Sequence, residues 1–152
     1  MFKEDYIFLN QKLNSKEEAL AFASDKALEL GLTDDRDGLL KDFLEREKEY
    51  STGLQDGFAI PHAKSNHVKE VAIFYISSDN IISEWETLDD TPVTHLFVLF
   101  VPKAHEGNTH LMMISNLATH LLEDDFREAV KKSSDKAQLK EYILKIMKED
   151  DE

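Results

Sequence analysis

A chain of 152 residues with a formal charge of −13, 31 acidic against 18 basic residues, has the length of one domain and is ill suited to nucleic acid, whose phosphates reward clustered Lys and Arg. The absence of cysteine excludes disulfides, thiolate zinc sites and thiol catalysis, and suits a reducing compartment. The opening Met-Phe-Lys-Glu-Asp lacks an apolar leader core and no apolar run approaches the ~18 residues of a membrane span. A cytoplasmic protein is expected, and any partner steered to it by charge should present a basic face.

In chain order, residues 6–9 form a short apolar run that reads as a first strand. Ser15 with Glu18 three positions later is a capping box, opening a helix through Leu20, Ala23, Ala27, Leu28 and Leu30 that Gly31 closes. A second helix is expected from about 33–35, where three aspartates suit a helix N-terminus, to about residue 49. It should bury Leu39, Leu40, Phe43 and Leu44, and it carries Arg46 in its last turns. After a loop with two glycines, the run Phe58-Ala-Ile-Pro-His62 reads as a buried strand that delivers His62 to the sheet edge. Proline fixes its own φ and biases Ile60 to extended geometry, which gives the imidazole after it a defined direction.

Residues 68–77 spell a further strand, turned by Asp79-Asn80, and 81–86 alternate weakly. The β-branched and aromatic run 93–101 reads as a central strand covered on both faces and stopped by Pro102. From Thr109 the period becomes helical, with Leu111, Met112, Ile114, Leu117, Ala118, Leu121 and Leu122 on one broad face. A short helix follows over 124–132, and Ser134 can cap a last one bearing Leu139, Tyr142, Ile143 and Ile146 before an acidic tail that frays. No repeat or linker interrupts the chain. The order β-α(2)-β(3)-α(3) predicts a single α/β (α+β) domain over residues 1–152, a three-layer α/β/α sandwich around a mixed central sheet. Function in such sheets gathers where loops leave the strand ends, here near His62 and in the loop over 102–110.

Six histidines need sorting. His67 lies in a polar loop and reads as exposed and silent; His95, inside the central strand, reads as a hydrogen-bonded structural residue. His120 stands nearly three turns beyond His110, so one helix cannot bring both to a point, and it belongs at the helix surface. His110 occupies the first turn of its helix, where unpaired backbone N–H groups make an anion site. His105 and Glu106 with His110 suggest metal ligation, but their spacing matches no established pattern. Gly-x-Ser-x-Gly, Walker and Gly-x-Gly-x-x-Gly signatures are absent.

The segment Arg46-Glu-Lys-Glu-Tyr-Ser-Thr-Gly53-Leu followed by Gly57-Phe-Ala-Ile-Pro-His62-Ala resembles the phosphorylation-site motif of the fructose/mannitol-class IIA components of the bacterial phosphoenolpyruvate:sugar phosphotransferase system. The likeness continues through Trp85-Glu-Thr-Leu-Asp-Asp-Thr-Pro-Val, residues 97–102, His110-Leu-Met-Met-Ile-Ser-Asn-Leu-Ala and Phe126-Arg-Glu-Ala. It implies a phosphotransferase relay without cofactor or metal: a phosphoryl group from the phosphohistidine of HPr is accepted and passed to a IIB component, which energises uptake through a membrane IIC permease. Carried over, His62 is the phosphoryl acceptor (as tele-phosphohistidine), His110 the assisting second histidine and Arg46 the site arginine. A neutral imidazole already holds the attacking lone pair, so catalysis reduces to alignment and charge neutralisation, with Thr52 and Gly53 as possible further donors. Gln55 stands where relatives often have glycine and Phe58 where they often have a smaller aliphatic residue, which bears on loop shape and partner preference. Phe58 and Leu54 are expected to offer apolar surface to a partner in a transient interface. The alternative is a regulatory, nitrogen-type IIA-like protein whose His62 phosphorylation state controls another protein.

Overall fold

The computed structural model describes residues 1–104 and 109–149. The chain forms two compact units, one of Met1 with Phe8–His105 and one of Phe2–Ile7 with Glu106–Glu152.

The first unit holds the sheet. Strand β1 (Ile7–Gln11) leads to helix α1 (Lys16–Glu29), whose N-cap Ser15 accepts from the Glu18 amide at 3.2 Å, as the capping box predicts. Gly31, at φ 77°, ends α1 in a Schellman turn, with Leu32 N–H donating to Ala27 C=O at 2.8 Å and Gly31 N–H to Leu28 C=O at 3.2 Å. Helix α2 (Arg36–Glu49) starts at Asp35, which caps the Gly38 amide at 2.9 Å. Its buried stripe is Leu39, Phe43 and Glu47, at i, i+4 and i+8; Leu40 and Leu44, expected inside, are only half-buried.

Strands β2 (Phe58–Ala59) and β3 (His62–Ser65) both run parallel to β5 (Val93–Pro102), and the pairs Phe58 with His95 and His62 with Leu99 keep one register across the gap. They are two pieces of one edge strand interrupted at Ile60-Pro61. Pro61 has no N–H for the ladder, and an edge position tolerates this; its carbonyl still accepts from Leu99 N–H at 2.9 Å. His62 therefore opens a strand that continues to Ser65, where the sequence pattern placed it at a strand's last residue. Strand β4 (Ala72–Ile82) is antiparallel to β5 and the order is β1-β4-β5-β2, with β3 also on β5. The turn expected at Asp79-Asn80 is instead a register shift within β4, where the Ser78 hydroxyl accepts from Leu13 N–H at 3.1 Å. Helix α2 packs on β3 and α1 on β4. The class is as expected, a mixed α/β chain around a mixed sheet with five strands and five α-helices among the described residues.

Between α2 and β3 the chain makes a small hairpin. Asp56 (φ 57°) and Gly57 (φ 84°) form its corner, both at the positive φ that a type I′ turn needs, with Phe58 N–H donating to Gln55 C=O at 3.2 Å. Gln55 thus only precedes the corner. Asp89 braces the hairpin: its carboxylate accepts from Asp56 N–H at 2.9 Å and Thr91 N–H at 3.0 Å, which holds the carboxyl below its usual range. Gly53, bridged to Ala59, lies so close to the Glu86 backbone that a Cβ would stand 2.0 Å from its carbonyl oxygen.

In the second unit, a 3-10 turn (Glu4–Tyr6) contacts α5 (Lys136–Met147), and α5 packs against α3 (Thr109–His120). Helix α4 (Asp124–Lys132) buries Phe126, Arg127 and Val130. Asp135, not Ser134, caps α5, accepting from Gln138 N–H at 3.1 Å. On the predicted apolar face of α3, Leu117 is buried while Leu111 and Met112 are more than half exposed (55% and 62%). No described helix is long and apolar enough to cross a membrane.

Two substitutions test the hairpin. Gly53→Ala should lower thermal stability by about 1–3 kcal/mol, the usual scale of overpacking against backbone, read as a fall in Tm. Asp89→Asn should destabilise at neutral pH. Because the folded pKa of Asp89 lies below its unfolded value, its contribution is complete above the ordinary carboxylate range and disappears as pH falls through the folded value. The Tm difference between wild type and Asp89→Asn should therefore close on acidification.

Candidate functional site

The imidazole of His62 is gripped at both nitrogens. Its Nδ1–H donates to the carbonyl of Ile60 at 3.1 Å, and its Nε2 accepts from Arg46 Nε–H at 3.1 Å. An arginine can only donate, so Nε2 carries the lone pair and Nδ1 the proton. The edge position of the strand makes the first contact possible: Pro61 turns its carbonyl to Leu99 N–H on β5, while Ile60 faces the other way, its N–H donating to Thr52 C=O and its carbonyl meeting the ring two residues on. Helix α2 makes the second: it packs along β3, and Arg46, in its last turn, reaches across to the ring.

Arg46 is itself fixed. Its Nη1 donates to the Tyr50 carbonyl at 3.0 Å, and its guanidinium lies 4.2 Å from the centroid of the exposed Tyr50 ring. Arg46 and His62 are both half-buried, so their free edges face a cleft of about 540 Å³. Asp42, Glu45 and Glu49 line one side of it from α2, with Lys64 and Lys103 on the strand side. Ser65 ties this floor together by donating its hydroxyl to Asp42 and accepting from His67 N–H at 2.9 Å.

The other sequence-selected residues divide. Thr52 is buried and commits its hydroxyl and its N–H to the carboxylate of Glu47, and the Gly53 N–H is used by Ser51 Oγ at 3.1 Å. Neither is a free donor at the cleft. Phe58, expected as exposed contact surface, is fully buried, its ring stacked 4.7 Å from His95 and 6.3 Å from Phe97; Leu54 is half-buried. His95 is hydrogen-bonded, as expected: the hydroxyl of Tyr75, whose pKa burial pushes up, and His95 Nδ1 share a hydrogen bond of 2.7 Å. His67, expected to be exposed, is half-buried; it lines the cleft with its Nδ1 3.5 Å from Asp35 Oδ2. His120 ends α3 between Glu123 and Glu149, the latter at 3.1 Å. His110 stands in the first turn of α3, half-buried, in the second unit. His105 and Glu106, the further ligands of the metal alternative, lie outside the described residues. Sequence reasoning missed Glu47; its place on the Leu39-Phe43 stripe was the available signal, since a carboxylate there has to be buried.

Over residues 1–146 the sequence matches the family model described as phosphoenolpyruvate-dependent sugar phosphotransferase system, EIIA 2. The chain belongs to this family. This EIIA chain is 34% identical over 143 residues, 94% of its own length and 92% of the relative's, to the PTS system fructose-specific EIIA component of Haloferax volcanii. Against the 2-O-alpha-mannosyl-D-glycerate-specific EIIABC component of Escherichia coli it is 30% identical over 131 residues and spans 20% of that longer protein. In structure it resembles the nitrogen regulatory protein IIA-Ntr of Neisseria meningitidis, with TM-score 0.83 and 26% identity over 93% of this chain and 95% of that one. Membership makes the EIIA chain a phosphocarrier, a transferase component of the sugar phosphotransferase system.

The ring contacts predict a single tautomer. Nitrogen-15 NMR of the free protein above the ordinary histidine titration range should show His62 protonated on Nδ1 and bare on Nε2. A proton found on Nε2 overturns the arrangement.

Proposed function

We propose that this EIIA domain is a cytoplasmic phosphocarrier that takes a phosphoryl group from phospho-HPr onto Nε2 of His62 and passes it to a IIB component, feeding sugar uptake through a IIC permease. The observation that carries this reading is the fixed tautomer, a bare Nε2 beside a guanidinium and open to a cleft. The fructose-specific relative, aligned over nearly both full lengths, supports a sugar of the fructose class. The match over residues 1–146 supports one such domain.

The chemistry follows from the geometry. The Nε2 lone pair attacks phosphorus as the donor's N–P bond breaks, and the donor imidazole leaves with that electron pair. No general base is needed, because the His62 proton stays on Nδ1. Positive charge that develops on the phosphorylated ring is stabilised by the Ile60 carbonyl. The same lone pair cannot accept from Arg46 and attack phosphorus at once, so Arg46 releases Nε2 and turns its donors to the phosphoryl oxygens, where a planar guanidinium suits paired oxygens. The resemblance of the segment that begins at His110 supports a second donor role for that histidine. The acidic side of the cleft favours donors with a basic face and, by like-charge repulsion, keeps the transferred group exchangeable.

The nitrogen regulatory likeness favours a second reading, in which phosphorylation at His62 controls a partner protein. Adjacent IIB and IIC genes support transport, and a neighbouring regulator supports control.

Intact-mass analysis after incubation with phosphoenolpyruvate, enzyme I and HPr should show one acid-labile phosphoryl group that His62→Ala lacks; equal uptake by that variant excludes the assignment. Arg46→Ala should slow transfer by roughly 10²-fold, the scale of a lost preorganised donor, with the acceptor intact. His110→Ala should also slow transfer while leaving the phosphoryl group on His62.

A further inference from the structure

The hydrogen bonds around the hairpin lead from the cleft to a buried carboxylate. Glu47 is the residue after Arg46 on α2, and its side chain is only 3% exposed. Its Oε1 accepts from Thr52 N–H at 3.2 Å and its Oε2 accepts the Thr52 hydroxyl. The Thr52 carbonyl accepts from Ile60 N–H at 3.0 Å, and the Ile60 carbonyl accepts from His62 Nδ1–H. One amino group, Lys16 Nζ, stands 3.8 Å from Glu47 Oε1.

A charge on the stripe that otherwise holds Leu39 and Phe43 is an expensive way to pack a helix, since an apolar side chain there carries no desolvation cost. What an apolar side chain cannot do is accept twice from Thr52. Those two bonds set the height of the 52–54 strand of the hairpin against α2, and the opposite strand, through Ile60, inherits that height. The Ile60 carbonyl in turn fixes the proton on Nδ1 and the direction of Nε2. The consecutive residues Arg46 and Glu47 thus hold opposite nitrogens of one ring, Arg46 directly and Glu47 through Thr52 and Ile60.

We propose that Glu47 is the positioning residue of the His62 imidazole, holding it as the Nδ1–H tautomer with Nε2 aimed into the cleft. The proposal rests on the phosphocarrier reading for its catalytic consequence. Its structural part, the tautomer, stands without any phosphoryl donor.

The test uses the full chain with Glu47→Ala, Glu47→Gln and Thr52→Val. In Glu47→Ala, nitrogen-15 NMR of the unphosphorylated protein should show the single His62 tautomer replaced by a mixture. Transfer from phospho-HPr should fall by about 10-fold or more in kcat with KM nearly unchanged, as expected when a reacting atom is misaligned without loss of a docking contact. Glu47→Gln keeps an acceptor for the Thr52 amide and should restore most of both readouts. Thr52→Val, which removes only the hydroxyl bond, should fall between them, and these two variants carry the test if Glu47→Ala does not fold. Wild-type tautomer and kcat in a folded Glu47→Ala or in Thr52→Val overturn the proposal, as does an effect confined to KM, which marks a docking residue. If wild type takes no phosphoryl group on His62, the functional reading falls, while the tautomer comparison still decides the role of Glu47.

Discussion

The structure around the site depends on one arrangement, an imidazole whose two nitrogens are held by a backbone carbonyl and a guanidinium. Histidine is useful as a covalent carrier only if a defined nitrogen presents its lone pair in a defined direction. A free ring exchanges tautomers and rotates. Here the Ile60 carbonyl supplies the tautomer and Arg46 the opposing charge, and both sit on elements that the sheet and α2 keep in register.

The open edge of the sheet is what supplies the carbonyl. Along this edge the Pro61 carbonyl faces β5 and accepts from Leu99 N–H, so the Ile60 carbonyl before it faces the other way, on the side where Ile60 N–H meets Thr52 C=O. Proline removes one donor without disturbing the pairing of Phe58 with His95 or of His62 with Leu99. The backbone therefore keeps register while the Ile60 carbonyl, outside the ladder, serves the side chain. The short hairpin before it anchors this geometry to α2, and Gly53 and Asp89 fix the hairpin against the 86–91 segment.

Electrostatics set the other half of the site. Three carboxylates from α2 face the cleft beside a guanidinium and, across it, Lys64 and Lys103. An anionic group entering the cleft at His62 would meet the Arg46 donors and the acidic side of the lining. That combination suits a relay component, in which a bound phosphoryl group has to be stabilised for transfer in and yet remain transferable.

Much of this was legible in the residues. The Ser15 cap, the acidic start of α2 and the Gly31 stop rest on local chemistry, because a capping hydroxyl or carboxylate or a positive-φ glycine needs only its neighbours in sequence. Arg46 and His62 could be singled out together because one local motif carries both, and the fold joins them at 3.1 Å; His110 rested on a second, separate segment. The tertiary structure decided what long-range packing controls: that β4 runs through Asp79-Asn80 with a register shift, that Phe58 stacks on His95 inside the core rather than meeting a partner, and that Thr52 spends its donors on Glu47. The order of residues alone picks out the histidine that stands behind the proline. Only the fold decided which nitrogen of that ring is bare, since the proton's place is set by an outward-facing carbonyl of the edge strand and by an arginine on another element.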